Sequence, residues 1–247
     1  MEIPEWMSRT ELLLGTQALQ KLMKAEVLIV GLGGVGGIAA EMLVRAGVGK
    51  LTLVDADVVE PSNRNRQIIA TARVNGLLKS EILAARLRDI NPEVQLELID
   101  KYLEAGGAEA LLAGRNFNYV ADCIDTLQPK VGLIAYCKDH RIPLISSMGA
   151  GGRLNPQEIK ISDISKTFNC YLAYYVRKKL HRMGIYQGVK VVFSPERPDK
   201  NRVKVVDGRN KKSVIGTISY MPNMFGCTVA SVIIQGILNQ KEKKRRP

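Results

Sequence analysis

Apolar positions recur along this chain in two alternating rhythms. From Ser8 to Met23, Leu12, Leu13, Leu19, Leu22 and Met23 are spaced as on one face of an amphipathic helix. A β-branched run follows at Val27 to Val30, the pattern of a strand buried on both faces. The two patterns then take turns. Helices are predicted at Ile38 to Arg45, 74–90, Glu104 to Ala113 and Val131 to His140, and strands at Lys50 to Val54, Val94 to Ile99, Tyr119 to Ile124 and Leu144 to Ser147. Alternation with short connections predicts an α/β fold, a doubly wound, mostly parallel sheet of the Rossmann-like kind.

Past Gly149-Ala-Gly-Gly152 the rhythm changes. Strand-like pieces at Glu158 to Ile161, Lys190 to Phe193 and Arg202 to Val206 are separated by basic, loop-rich stretches, and a closing helix is expected from about Met224 to Asn239. There is no internal repeat and no sign of a second core. The expectation is one domain over 1–247, with a nucleotide-binding core at 9–152 and a basic elaboration of the same fold at 153–247. The longest apolar run, Cys227 to Leu238, is short for a bilayer span and contains Gln235, so no membrane partner is expected. The N-terminus has neither a basic cap nor an apolar signal core, so the expected location is cytoplasmic.

Composition narrows the class. With 46% apolar and 24% charged residues among 247, a wholly disordered chain is excluded. The net charge of +12 is unevenly placed: residues 1–150 hold 16 Lys+Arg against 18 Asp+Glu, and residues 151–247 hold 20 against 6. The halves therefore carry −2 and +14. A polyanionic partner, nucleic acid above all, is expected on the second half. Arg153, Arg177, Lys178 and Lys179 are the cations that charge alone picks out, besides the runs Lys200 to Lys212 and Lys241 to Arg246. The four cysteines, Cys123, Cys137, Cys170 and Cys227, form no C-x-x-C pair and lie in no metal spacing with His140 or His181, so no zinc is expected.

The chemistry lies in the first half. Gly31-x-Gly33-Gly34-x-Gly36 follows a strand and opens a helix, as a phosphate-cradling turn requires. Asp55, 24 residues after Gly31, ends the next strand, where a carboxylate can hold a ribose. These residues alone do not separate NAD, FAD and ATP. The segment Asp55 to Gln67 then packs Asp55, Asp57, Asn63, Asn65, Arg64 and Arg66 together, and Lys79 follows on a helix. Such a cluster suits a triphosphate, because guanidinium groups bind phosphate oxygens in bidentate fashion. Asp122-Cys-Ile-Asp125 delivers two carboxylates to the carboxyl edge of the sheet, where Mg²⁺ could bridge them to phosphate.

Taken together, Gly31 to Gly36, Asp55-Ala-Asp57, Ser62-Asn-x-Asn-Arg-Gln67, Lys79 and Asp122-x-x-Asp125 resemble the adenylating E1-like superfamily (ThiF/MoeB/HesA), in order and spacing, over residues 9–152. Arg9-Thr-Glu-Leu-Leu-Leu-Gly15 resembles that superfamily's opening segment. Leu133 to Cys137, Ile142 to Leu144, Gly149 to Pro156 and Val192 to Glu196 are more similar to its tRNA threonylcarbamoyladenosine dehydratase group. The resemblance implies that Gly34 and its neighbours cradle phosphates, that Asp55 binds ribose, and that Asn63, Arg66 and Lys79 contact ATP. It implies Mg²⁺ on Asp125 and an arginine finger at Arg9, from the partner in a homodimer. The implied reaction is adenylation of the threonyl carboxylate of N6-threonylcarbamoyladenosine beside a tRNA anticodon, followed by ring closure. A sulfur-relay partner is also allowed by the resemblance. The alternative within the superfamily activates the C-terminal glycine of a sulfur-carrier protein. An NAD or FAD oxidoreductase would leave Arg66, Lys79 and the asparagines without a task.

Overall fold

The computed structural model describes residues 3–199, 203–205 and 213–240. Its centre is a seven-stranded sheet in the order β3-β2-β1-β4-β5-β7-β6. The strands are β1 Glu26–Val30, β2 Lys50–Val54, β3 Gln95–Ile99, β4 Tyr119–Asp122, β5 Leu144–Ser147, β6 Lys160–Asp163 and β7 Lys190–Phe193. All pair in parallel except β6, which closes one edge antiparallel to β7. The α/β expectation holds, and β6 and β7 extend the sheet into the basic third of the chain.

Helices cover both faces because strand residues alternate between them. On one face, Val27, Ile29, Leu51 and Leu53 pack under α3 Gly36–Arg45, α4 Lys79–Ile90 and α8 Tyr220–Asn239. On the other, Leu28, Val30 and Val120 pack under α5 Ala108–Leu112 and α6 Leu127–Asp139. A further cluster joins α6, β7 and α7 Tyr171–Arg182 through Ile134, Val191, Val176 and Leu180.

Several boundaries differ from expectation, each for a local reason. The helix expected from Ser8 to Met23 is two, α1 Ser8–Leu14 and α2 Thr16–Met23, broken at Gly15 with φ +82°. The helix expected over 74–90 begins only at Lys79, and Leu77, assigned to its apolar side, is exposed. The one expected over Glu104 to Ala113 shrinks to α5. In contrast, α6 starts four residues early, because Pro129 lies in its first turn, where the missing N–H is no loss. The segment at 171–182 carried a helical pattern that the basic charges obscured. The piece expected at Arg202 to Val206 is β8 Val203–Val205, paired with β9 Ser213–Ile215 in a separate two-stranded ribbon. The rest of Lys200 to Lys212, and Lys241 to Arg246, lie outside the described residues.

The closing helix α8 is longer than expected and is the one helix among the described residues long and apolar enough to cross a membrane. Half of that stretch is buried. Met221, Phe225, Val229 and Ile233 lie in the main core, and Gly226 lets α8 close tightly on α3. Its apolarity is that of a core helix.

Candidate active site

The strand order reverses between β1 and β4, so the loops leaving their carboxyl ends diverge. Open α/β sheets hold ligands in such a crevice. Gly31 begins the turn from β1 to α3 with φ +90°, and a Cβ there would stand 2.8 Å from the Cys123 carbonyl oxygen. A Cβ on Gly36 would land inside the Gly31 carbonyl. Both positions need glycine for the turn to close. Gly34 lies against Pro222 of α8 and the Arg66 carbonyl. Around Gly33 the nearest atom to a Cβ would be Gln67 Nε2, at 3.8 Å, so there is room beside the turn there.

Asp55 ties this turn to the next strand. Its Oδ2 accepts the Leu32 N–H at 2.6 Å, and its Oδ1 accepts the Asp57 N–H at 2.8 Å. Burial pushes the Asp55 carboxyl up, against the pull of the Lys79 charge and of these two N–H groups. Asp57 then accepts Lys79 Nζ at 2.6 Å on Oδ2 and the Tyr102 hydroxyl at 2.6 Å on Oδ1. That bond pushes the Tyr102 phenol up to about 12. Lys79 is the first residue of α4, and its side chain is buried. A continuous line of contacts thus runs from the glycine turn to a buried ammonium.

The asparagine-arginine segment bends over the same crevice. Asn63 is buried, accepts the Glu60 N–H at 3.1 Å, and completes a reciprocal cap on the turn Pro61–Asn63. Asn65 donates to the Thr217 carbonyl at 2.9 Å, which fastens the segment to the stretch after β9. Arg66 Nη1 donates to the Ser62 carbonyl at 2.9 Å and to Asn65 Oδ1 at 2.8 Å, and no carboxylate among the described residues pairs with it. Gln67 Oε1 and Asn223 Oδ1 are buried oxygens with no hydrogen-bond partner among the described residues. Asn223 Nδ2 donates to the Arg66 carbonyl at 3.2 Å, so an α8 side chain joins the site. A guanidinium with no carboxylate partner among the described residues, a buried ammonium and room beside the glycine turn fit a polyanionic nucleotide. The two orphaned oxygens would accept from hydroxyls or from the waters of a hydrated cation.

Asp122 is a correction. Expected at the nucleotide, it is fully buried and accepts Lys130 Nζ at 2.7 Å, Ser146 Oγ at 2.6 Å and the Ile124 N–H at 3.1 Å. Lys130 also reaches the Ser147 carbonyl at 2.9 Å. Three internal donors use up this carboxylate, so it frames the β4–α6 loop instead of meeting ligand. Asp125 is exposed on that loop, which leaves the carboxyl end of β4. No group of three or more His, Cys, Asp or Glu gathers as a metal site among the described residues, so a cation on Asp125 would need ligand oxygens as well.

Other expected residues lie apart. Arg9 is exposed on α1, and among the described residues no bond joins it to the cluster. Arg153, picked for charge, is buried and donates to the carbonyls of Ser194, Gly149 and Gly151, bracing the loop after β5. Arg177 is held by the Thr167 carbonyl and hydroxyl. Tyr102, Lys130 and Asn223 carried no sequence signal, because only folding brings them to this edge. A cavity of about 410 Å³, lined by Gln17, Lys21, Lys24 and Asn118, opens at the opposite, amino-terminal edge of the sheet.

These features define an adenylating α/β protein, and the chain belongs to the ThiF family, whose profile matches residues 7–247. It is 36% identical to the tRNA threonylcarbamoyladenosine dehydratase of Bacillus subtilis, over 96% of each chain. With the enzyme of the same name from Escherichia coli it shares 41% identity, over 76% of this chain and 72% of that one. The crystal structure of the Escherichia coli dehydratase in complex with ATP superposes with a TM-score of 0.86 at 34% identity, covering 96% of this chain and 97% of that one.

Proposed function

We propose that this chain is an ATP-dependent tRNA threonylcarbamoyladenosine dehydratase. The observation that carries the reading is the line Leu32–Asp55–Asp57–Lys79 beside Arg66, which no carboxylate among the described residues neutralises, in a chain similar to such dehydratases over nearly its whole length.

The chemistry follows from charge placement. A carboxylate is a poor electrophile, and joining it to AMP turns its oxygen into part of a good leaving group. The N–H groups of the glycine turn and the α3 N-terminus receive phosphate oxygens, with Asp55 on the ribose. Asn63 and Asn65 hold the loop that aims Arg66. Arg66 and Lys79 neutralise charge that builds on the departing pyrophosphate as a carboxylate oxygen attacks the α-phosphorus. Lys79 must leave Asp57 or share it to do so. Asp125 would hold Mg²⁺, which supplies further charge neutralisation at the phosphates. A nitrogen of the substrate's own carbamoyl group then closes on the activated carbonyl, expelling AMP, with net loss of one water. No nucleophile from the chain is needed, since proximity within the substrate suffices.

Arg9 is assigned to the partner's site in a homodimer, which accounts for its separation from its own cluster. Residues 1–247 act as one unit, on tRNA, in the cytoplasm, where ATP and tRNA meet. A sulfur-relay protein is a further candidate partner.

The test incubates the protein with ATP, Mg²⁺ and tRNA bearing threonylcarbamoyladenosine, then weighs the released nucleosides. Loss of one water from the modified adenosine is expected. An unchanged mass, with pyrophosphate exchange that depends on a sulfur-carrier protein, would transfer the assignment to the carrier-activating alternative.

A further inference from the structure

We propose that the exposed face of α7 is a stacking platform for unpaired RNA bases beside the active site, with tyrosines for the bases and Lys178 and Arg182 for the phosphates. The proposal rests on the reading of tRNA as substrate.

Helical geometry assembles the face. Ala173, Val176 and Leu180 bury one side of α7 in the core. Tyr171, Tyr175, Lys178 and Arg182 follow at spacings of four, three and four on the opposite side, with Tyr174 flanking them. Tyr171, Tyr174 and Tyr175 are each about half exposed, at 57%, 49% and 50%. The rings of Tyr174 and Tyr175 meet edge to face at 5.2 Å, which holds two π-surfaces in place before any ligand arrives. Four of the chain's eight tyrosines fall between 171 and 186, and all four are exposed. The core does not require them there.

Charge selects the partner. Between residues 164 and 195 there is no Asp or Glu, against six Lys and Arg. An apolar protein contact would gain nothing from such an imbalance, whereas single-stranded RNA offers both phosphates and base faces. Arg177 is already committed to Thr167, and among the described residues no carboxylate pairs with Lys178 or Arg182, both exposed on this face.

Topology puts the face where the substrate must lie. Gly149, just past β5, is close to Leu172 and Cys170, so α7 starts at the sheet edge that carries the glycine turn and Asp125. Following β6 in the chain, it then runs back toward the start of β7. Tyr171 is therefore nearest the site and Arg182 farthest, about 16 Å along the helix at its usual rise.

The experiment measures binding of a fluorescently labelled anticodon stem-loop RNA by anisotropy, across a salt series. Two variants are compared with the unaltered protein: Tyr171→Ser/Tyr174→Ser/Tyr175→Ser and Lys178→Ala/Arg182→Ala. Thermal melting and ATP affinity are checked in parallel and are expected to be unchanged. The tyrosine variant should bind roughly tenfold or more weakly with the salt slope unaltered. The cation variant should lower that slope by about 1.5. Equal RNA binding by all three proteins overturns the proposal, as does a change of oligomeric size with RNA binding intact, which would make the face a protein contact. Should the unaltered protein dehydrate the modified tRNA while the variants bind RNA as well as it does, only the platform fails. Should it bind the stem-loop through these residues without altering the nucleoside, only the dehydratase reading fails.

Discussion

The Lys79 ammonium lies 2.6 Å from Asp57 Oδ2, and the same carboxylate takes the Tyr102 hydroxyl on its other oxygen. Lys79 is buried while Asp57 is about half exposed, so the pair can be opened from the solvent side. Asp57 thereby stores a charged lysine within reach of the crevice without letting it stray. Replacing Asp57 with Asn weakens that hold while leaving an acceptor for the Tyr102 hydroxyl. Asp57→Asn is expected to lower kcat/KM for ATP by about tenfold, the equivalent of roughly 1.4 kcal/mol, and Lys79→Ala to lower it further. Steady-state kinetics checks this, and an Asp57→Asn enzyme with unaltered constants would mean that the pair is only structural.

Two glycines of one turn should answer differently to the same methyl group. Gly36→Ala forces a carbon into the Gly31 carbonyl and is expected to lower the melting temperature markedly and abolish ATP binding. Gly33→Ala meets nothing closer than 3.8 Å, so stability should hold while ATP affinity drops as the methyl group takes up ligand space. Calorimetry of folding and of ATP binding separates the two. Equal melting temperatures for both variants would contradict the packing described.

Lys130 and Asp122 are both fully buried, and each is the other's counter-charge. Lys130→Met strands a buried carboxylate and is expected to cost about 3–5 kcal/mol of stability. Asp122→Asn/Lys130→Met should recover part of that loss, since neither partner is then charged. Denaturant unfolding provides the measurement, and a single variant as stable as the double one would refute the coupling.

Glu41 gives a pH dependence with a definite sign. Burial pushes its carboxyl up, but side-chain bonds from Arg86 at 2.6 Å and Arg45 at 2.9 Å outweigh it, and the net shift is down. A lowered value in the folded state means stability that is present above the ordinary value of 4.5 and fades as pH falls through the folded one. Glu41→Gln should therefore be less stable at neutral pH, by about 1 kcal/mol given two half-exposed arginines, with the gap closing in acid. A gap that stays constant from neutral to acid pH would count against the ion pairs.

Burial, and after it the charge of Asp122, pushes the Cys123 and Cys137 thiols up to about 12, and burial raises Cys227 as well. Thiolate is the reactive form, so these cysteines are expected to resist alkylation in the folded protein at mild pH. Cys227→Ala should keep full dehydration activity. A Cys227→Ala protein that binds ATP and tRNA yet forms no cyclic product would falsify the view that no cysteine takes part.

Spacing and residue type alone determined the alternating α/β order, all seven sheet strands to within two residues at either end, the glycine turn, and the Asp55–Lys79 set, because each is a local property of consecutive residues. Lys190 to Phe193 was legible as a strand for the same reason. The partnering of side chains was decided only in three dimensions. Asp122 and Asp125 look equivalent in the chain, yet one is consumed by Lys130 and Ser146 while the other remains on an exposed loop. Tyr102 and Asn223 lie far from the motif in sequence and join it through the ends of β3 and α8. Arg153 and Lys178 are equal in charge, but burial makes one a brace for carbonyls and leaves the other facing solvent. Composition records that a charge exists; the packing of strands and helices around it sets whether water, protein or a ligand answers it.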